Sequence, residues 1–314
     1  MFDIVGRRFW FFFISGIIIL IGIVSLLTFG LKAGIEFNSG SRLRVSFDEQ
    51  EVSQEQLRQE LANLGYPDAI IESEIKPTGE QGDFFIRTRE LVGGEKTEME
   101  AGLAAKFGDV AEKEFSAVSP EIAEETTRTA TIAVAVAAIG ILFYVTWAFR
   151  RMPKPLHYGT CAIIALAHDA LVTLGVFSIL GGILNWQIDL KFIIGVLAVI
   201  GYSVNNTVVI FDRIRENLIE GISPDFEVVV NNSLVETLSR SLNTSLTTML
   251  VVLALLLFVG VSIQNFVVVL VIGIIAGTFS SIGIAPTLLV VWEKGEWGRF
   301  IQWLPVPRAK ARSR

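Results

Sequence analysis

The 314-residue chain has one cysteine, Cys161, and two histidines, His157 and His168. A lone cysteine closes no disulfide within the chain, and neither histidine stands in a ligand cluster, so no metal centre is expected. Charge is scarce too: Asp, Glu, Lys and Arg make up 18% of residues against 52% apolar, with a mean hydropathy of +0.56. That balance excludes an ordinary soluble globular protein and points to a chain that crosses a membrane several times. From Ser241 to Trp292 no Asp, Glu, Lys or Arg occurs over 52 residues, whereas one span needs about 20. Two spans lie there. A Walker-type phosphate loop and a G-x-S-x-G nucleophile elbow are also missing, so no enzyme of those classes and no cofactor is expected.

What is present is six apolar runs, at 9–29, 129–149, 156–180, 191–211, 242–262 and 266–291. Basic residues cluster at Arg7/Arg8, Arg150/Arg151/Lys154, Arg213/Arg215/Arg240 and in the tail Arg299 to Arg314, while the alternate loops are poor in them. The positive-inside rule then predicts cytoplasmic termini and an exterior segment 31–128. The division is an anchor at 1–30, an exterior module at 31–128, further spans over 129–292 and a basic tail at 293–314. Phe9 to Phe29 is too long for a signal core, no A-x-A-like site follows, and it reads as a retained anchor. Trp292, Trp297 and Trp303 suit an interfacial belt, and His157 reads as another interface marker. The basic tail suits anionic lipid, the ribosome or a channel rather than nucleic acid.

The exterior module carries 21 acidic and 11 basic residues between Leu31 and Arg128, and the remainder is net basic. Leu43–Phe47, Ala69–Lys76, Asp83–Thr88 and Val110–Val118 read as strands, and Ser53–Leu64, capped by Ser53, and Thr97–Phe107 as helices. Gly65-Tyr66-Pro67 and Thr78 to Gly82 are turn signals. The order βαββαβ is that of a ferredoxin-like sandwich. With no histidine and no ligand cluster, the module is expected to bind or move rather than catalyse. The predicted fold is a polytopic α-helical membrane protein with six transmembrane helices and this α+β domain between spans 1 and 2.

Polar groups inside a span are costly and usually face the bundle interior. His168 and Asp169 interrupt the third span, and an unpaired buried carboxylate must protonate or find a partner. In the fourth, Tyr202, Asn206 and Arg213 share a helical face, beside Asn205. In the fifth, Arg240, Asn243, Thr244, Thr247 and Thr248 recur at three- and four-residue spacing. Lined against each other these stripes make a polar seam, although Ser and Thr also bond back to their own helix. Asp212, Arg213, Arg215 and Arg240 form a charge cluster at the cytoplasmic end, with solvated interfacial charge as the simpler account. Gly175, Gly195, Gly201, Gly273 and Gly277 suit close helix contact. Neighbours on a helix point about 100° apart, so His168 and Asp169 are not expected to pair as in a hydrolase triad.

One span, a βαββαβ exterior domain and five more spans resemble half of the resistance-nodulation-division transporter plan. The stretches IGYSVNNTVVIFDRIREN, LAHDALVTLG and SLNTSLTTML are similar to motifs of the SecF group of the SecD/SecF protein-export family. Gly34, Glu36, Phe37 and Gly40 in GIEFNSG resemble a loosened form of its G-x-D-F-x-G-G motif. The resemblance implies a heterodimer with SecD, docking to the SecYEG channel, and use of a proton or sodium gradient to move exterior domains that draw an unfolded polypeptide outward. It implies a bacterial-type plasma membrane, or a thylakoid where the cell has one. No nucleotide is consumed by this part.

There is one departure. SecF proteins usually read Asn-Asp-Thr where this chain reads Asn205-Asn206-Thr207, and an amide cannot ionise. Either Asp169, with an acid from SecD, handles the proton and Asn206 bonds to the threonine stripe, or ion coupling has weakened and the protein acts as a channel-stabilising accessory; we favour the first. The competing class is a self-contained exporter of lipids or small hydrophobic molecules built on the same plan.

Overall fold

The computed structural model describes residues 3–47, 52–75, 81–258 and 263–298. The tail Arg299 to Arg314 with Trp303, the end of the fifth expected span and most of the Thr78 to Gly82 turn lie outside them.

A single turn at Val5–Arg7 leads into α1 (Arg8–Thr28), and a short helix α2 (Ile35–Asn38) follows. Next come β1 (Gly40–Phe47), α3 (Gln54–Asn63), β2 (Ile70–Ile75), β3 (Gln81–Thr88), α4 (Glu95–Phe107) and β4 (Val110–Val118). The chain then runs through α5 (Pro120–Ala148), α6 (Pro155–Leu184), α7 (Leu190–Glu220), α8 (Phe226–Phe258), α9 (Gln264–Gly283) and α10 (Ala285–Lys294). Among the described residues six helical stretches are long and apolar enough to cross a membrane, α9 and α10 counting as one. The protein is a polytopic helical membrane protein.

The strands pair antiparallel in the order β2-β3-β1-β4. Alternation decides the faces. Leu43, Val45, Phe84, Ile86 and Ile71 are buried against Leu57 and Leu61 of α3 and Met99, Leu103 and Phe107 of α4. Arg42, Arg44, Phe85 and Arg87 alternate with them on the other face. Ser53 caps α3 as expected: its hydroxyl accepts from Gln56 N while the Gln56 side chain accepts from Ser53 N, a capping box.

The helices outrun the apolar segments that announce them. α7 continues past residue 211 to Glu220, and α8 begins at Phe226 rather than near 242. Hydropathy falls where these helices leave the apolar region, but i,i+3 ion pairs sustain the helix there: Arg213 with Glu216 at 2.8 Å and Arg215 with Asp212 at 2.6 Å. The final span breaks between α9 and α10, where Pro286 occupies the first turn of α10 and supplies no N–H to continue the ladder.

Helices α6, α7 and α9 hold most of the buried membrane core. Small residues let them close up. A Cβ on Gly175 of α6 would lie 2.6 Å from the Cα of Gly22 on α1, and one on Gly277 of α9 would lie 2.9 Å from Ser203 Cβ on α7. Gly201 departs from the expected role, because nothing lies within 4 Å of where its Cβ would stand.

Candidate functional site

Asp169 sits midway along α6, 1% exposed. Its Oδ2 accepts from Ser203 Oγ of α7 at 2.6 Å and from Ser280 Oγ of α9 at 2.8 Å. Its Oδ1 lies 3.0 Å from His168 Nδ1. One carboxylate thus ties together three membrane helices. Close approach of α9 to α7 at Gly277 is what brings both serines to the same oxygen. A buried carboxylate with such donors can hold its charge, and on taking a proton it can turn from acceptor to donor while the hydroxyls rotate to match.

The contact between His168 and Asp169 corrects the sequence expectation. The Cα–Cβ vectors of neighbours do diverge, but the imidazole leans back along the helix, stacks on Phe279 at 5.9 Å and reaches the carboxylate. No Ser-His-Asp relay results. Both serine hydroxyls bind the carboxylate, and His168 Nε2 is buried with no hydrogen-bond partner among the described residues.

A second hydroxyl pair continues from this node. Thr207 Oγ1 lies 2.9 Å from Ser281 Oγ, which also donates to Ser203 O at 3.2 Å. Tyr202 is half-buried and its hydroxyl donates to Ser245 Oγ of α8 at 2.9 Å, where Thr278 Oγ1 also donates at 2.7 Å. The α7–α8 contact therefore runs through Ser245, one step around the helix from the threonines that the spacing singled out. Ser203, Ser245, Ser280 and Ser281 were not legible as site residues, because serine is common in membrane helices and its spacing here sets no pattern apart.

Thr244 and Thr247 are exposed and Thr248 is half-buried. Each bonds back to its own helix, to the carbonyls of Arg240, Asn243 and Thr244 respectively. Asn206 is buried, and its Nδ2 has no partner among the described residues, so the expected bond from Asn206 to the threonine stripe is not made. α8 presents the stripe away from α7. Asn205 is exposed.

At the polar end of α7 Arg213 bridges α7 and α8, with its Nε 2.6 Å from Glu236 Oε2, and Arg215 pairs with Asp212 rather than with the seam. Arg240 is exposed. Sequence reading missed a further network in which Arg8, 4% exposed, reaches Glu227 at 2.6 Å and Glu296 at 2.7 Å.

The motif after the first span forms a joint. Gly34 N donates to Ile188 O at 2.7 Å and Ile188 N to Lys32 O at 2.8 Å, so the entry to the sheet pairs with the α6–α7 connection. Gly40 has φ 123°, and a Cβ there would lie 2.5 Å from Thr88 O, which requires glycine. Glu36 Oε2 is buried without a partner among the described residues, and Phe37 is half-buried.

The profile described as "Protein export membrane protein SecD/SecF, C-terminal" matches residues 98–295. A protein translocase subunit SecF from Thermobaculum terrenum is 41% identical, over 96% of this chain and 97% of that protein. The subunit SecF of Anaerolinea thermophila is 39% identical, over 95% and 96%. The crystal structure of SecDF from Thermus thermophilus, titled a translocon-associated membrane protein, superposes with a TM-score of 0.82 at 30% identity. That match covers 93% of this chain, which spans 39% of that longer one. Likewise the subunit SecDF of Bacillus subtilis is 35% identical over 94% of this chain and 38% of its own length.

Proposed function

Because the chain belongs to the SecD/SecF family of protein-export membrane proteins, as a SecF subunit of the protein translocase, we propose that it couples an ion gradient to the movement of an exterior module that draws a translocating chain outward. SecD is its partner, fused to the corresponding half in the SecDF relatives, and the pair docks on the SecYEG channel. The protein lies in the bacterial plasma membrane. Residues 31–128 form a ferredoxin-like sandwich on the exterior side, a reading supported by the strand order β2-β3-β1-β4 with both helices on one face. Both termini are cytoplasmic, and residues 1–30 and 129–292 supply the spans.

The observation that carries the coupling is the single carboxylate, Asp169, gripped by hydroxyls from α7 and α9. Neutralising it removes the charge that orients both serines, so the three helices favour a different packing in the two protonation states. The α6–α7 connection, paired with the entry to the sheet, passes that shift to the module. Asn206 plays no carrier role.

A second reading, an accessory that stabilises the channel without carrying ions, is favoured by the unpartnered amide of Asn206 at the family's acidic position. Export of a reporter in cells lacking native SecF separates the two, with and without a proton ionophore. Coupling through Asp169 predicts that Asp169→Asn abolishes the gradient-dependent part while Asn206→Asp leaves or raises it. Unchanged export in both variants would sink the coupling and leave the accessory role.

A further inference from the structure

A second concentration of ionisable groups lies where the uncovered face of the sheet meets the α6–α7 connection. The two enclose a cavity of about 100 Å³ lined by Glu36, Arg42, Glu72, Arg87, Gln187 and Asp189, among others. Arg87 of β3 spends its hydrogen bonds on neutral acceptors, Ala33 O at 2.7 Å and Gln187 Oε1 at 2.6 Å. Gln187 donates in turn to Glu72 Oε1 at 3.4 Å, and its carbonyl accepts from Asn265 Nδ2 at 2.9 Å. Asp189, 7% exposed, caps α7 by accepting from Phe192 N at 2.8 Å. Glu36 Oε2 has no partner among the described residues.

Three carboxylates thus converge on this partly open cavity, and none of them is in an ion pair among the described residues. Burial pushes the Glu72 carboxyl above its usual range, outweighing the pull of Arg42, Arg87 and Lys32. Burial pushes Asp189 up as well, despite the Phe192 N–H. At Glu72 and Asp189 this geometry suits the protonated form better than the charged one.

We propose that the junction is a proton-operated latch, closed onto the membrane helices when Glu72 and Asp189 carry protons and loosened when they are charged. It rests on the reading above that the module faces the exterior, whose acidity the latch then senses directly and separately from Asp169. The groups facing the cavity or acting on its carboxylates are Lys32 and Glu36 ahead of the sheet, Arg42, Glu72, Arg87 and Glu114 on the strands, and Asp189 and Lys191 at the start of α7. The arginines and lysines stay charged on both sides of the transition, so the response belongs to the carboxylates. Burial raises the proton affinity of Glu72 and Asp189 in the closed state, so the closed state binds more protons. Closing therefore strengthens as pH falls and weakens as pH rises from the ordinary carboxylate value through the raised one.

The test is a distance measurement by pulsed electron resonance between spin labels at Thr97→Cys on α4 and Ile183→Cys at the end of α6, both exposed. It uses the full chain in lipid nanodiscs with Cys161→Ala. A single short distance is expected at pH 5 and an added longer population at pH 8, the ratio changing about ten-fold or more. Glu72→Gln/Asp189→Asn is expected to keep the short distance at both pH values; if it does not fold, Glu72→Gln alone is expected to raise the closed fraction at pH 8. A distance that ignores pH overturns the latch. So does a response that survives the double variant or disappears in Asp169→Asn. Labelling of Thr97→Cys in intact cells by a membrane-impermeant maleimide tests the exterior location on its own, so failure there and failure of the latch are told apart.

Discussion

Ser203 Oγ lies 2.6 Å from Asp169 Oδ2 across the α6–α7 interface, the separation of a charge-assisted hydrogen bond. Removing a hydrogen bond to a buried charge costs about 1.5–3 kcal/mol, more than the loss of a neutral one. Ser203→Ala and Ser280→Ala are each expected to lower the denaturation midpoint of the purified protein and to reduce gradient-dependent export. Placing both in one chain should cost less than the sum of the singles if the orphaned carboxylate then protonates. Midpoints and ionophore-sensitive export for the two singles and the double decide it; unchanged export in all three would separate the serines from coupling.

The close helix approaches make a paired prediction. Gly175→Ala places a methyl group 2.6 Å from Gly22 Cα, backbone that cannot swing aside, so α1 must move off α6. Overpacking of this kind typically costs about 1–3 kcal/mol. Gly201→Ala meets nothing within 4 Å and replaces a poor helix former, so it is expected to be neutral or stabilising by up to about 1 kcal/mol. Thermal midpoints of the two variants in the same detergent give the comparison.

Much of the architecture was legible because burial in lipid and in a half-covered sheet leave periodic marks. Val110–Val118 and the Ser53 cap appear where alternation and capping chemistry put them. The polar extensions of α7 and α8 were not legible, since hydropathy carries no signal for a helix that continues in polar sequence. Asp169 stood out as a charge within an apolar run, but its partners did not. Ser203 and Ser280 are 34 and 111 residues away in the chain, and only the packing of α7 and α9 on α6 selects them. The same holds for Arg87 and Gln187, which are 100 residues apart.

Arg8 supplies a test where α1, α8 and the end of α10 meet. Its guanidinium is almost fully buried between Glu227 and Glu296 and also donates to Val5 O at 2.9 Å. Removing one partner of a buried ionic network leaves uncompensated charge and costs about 3–5 kcal/mol. Arg8→Met is expected to destabilise by that order, whereas Arg7→Met on the exposed neighbouring position should change little. Denaturant midpoints of the two variants check the difference. A small effect at Arg8 would mean that water reaches the network.

The sheet-and-helix module offers a pH test with a defined sign. Two hydrogen bonds from the Arg89 guanidinium, at 2.7 and 2.8 Å, and one from Val92 N hold Glu95 down at about 2, well below the ordinary 4.5. A depressed carboxylate stabilises the fold above its unfolded value and loses that contribution as pH falls through the folded one. The contact should therefore be complete above 4.5 and vanish toward 2. Carboxyl carbon NMR of Glu95 is expected to show that titration, and Arg89→Ala should return it toward the ordinary value. Because the pair is solvent-exposed, high salt should raise the titration point as well.

The threonine stripe on α8 yields the final prediction. Since Thr244, Thr247 and Thr248 satisfy their hydroxyls on their own helix, their replacement by alanine should shift the stability of the isolated subunit by no more than about 0.5 kcal/mol. Ser245→Ala is different, because it removes the acceptor shared by Tyr202 and Thr278 and loosens the α7–α8–α9 contact. The stripe faces away from α7, and small hydroxyl residues suit close helix contact within lipid, so its expected covering is a helix of the SecD partner. Co-purification with SecD should then fall in the triple threonine variant while the subunit alone remains stable. If association is unchanged, the stripe serves only its own helix, and SecD packs elsewhere.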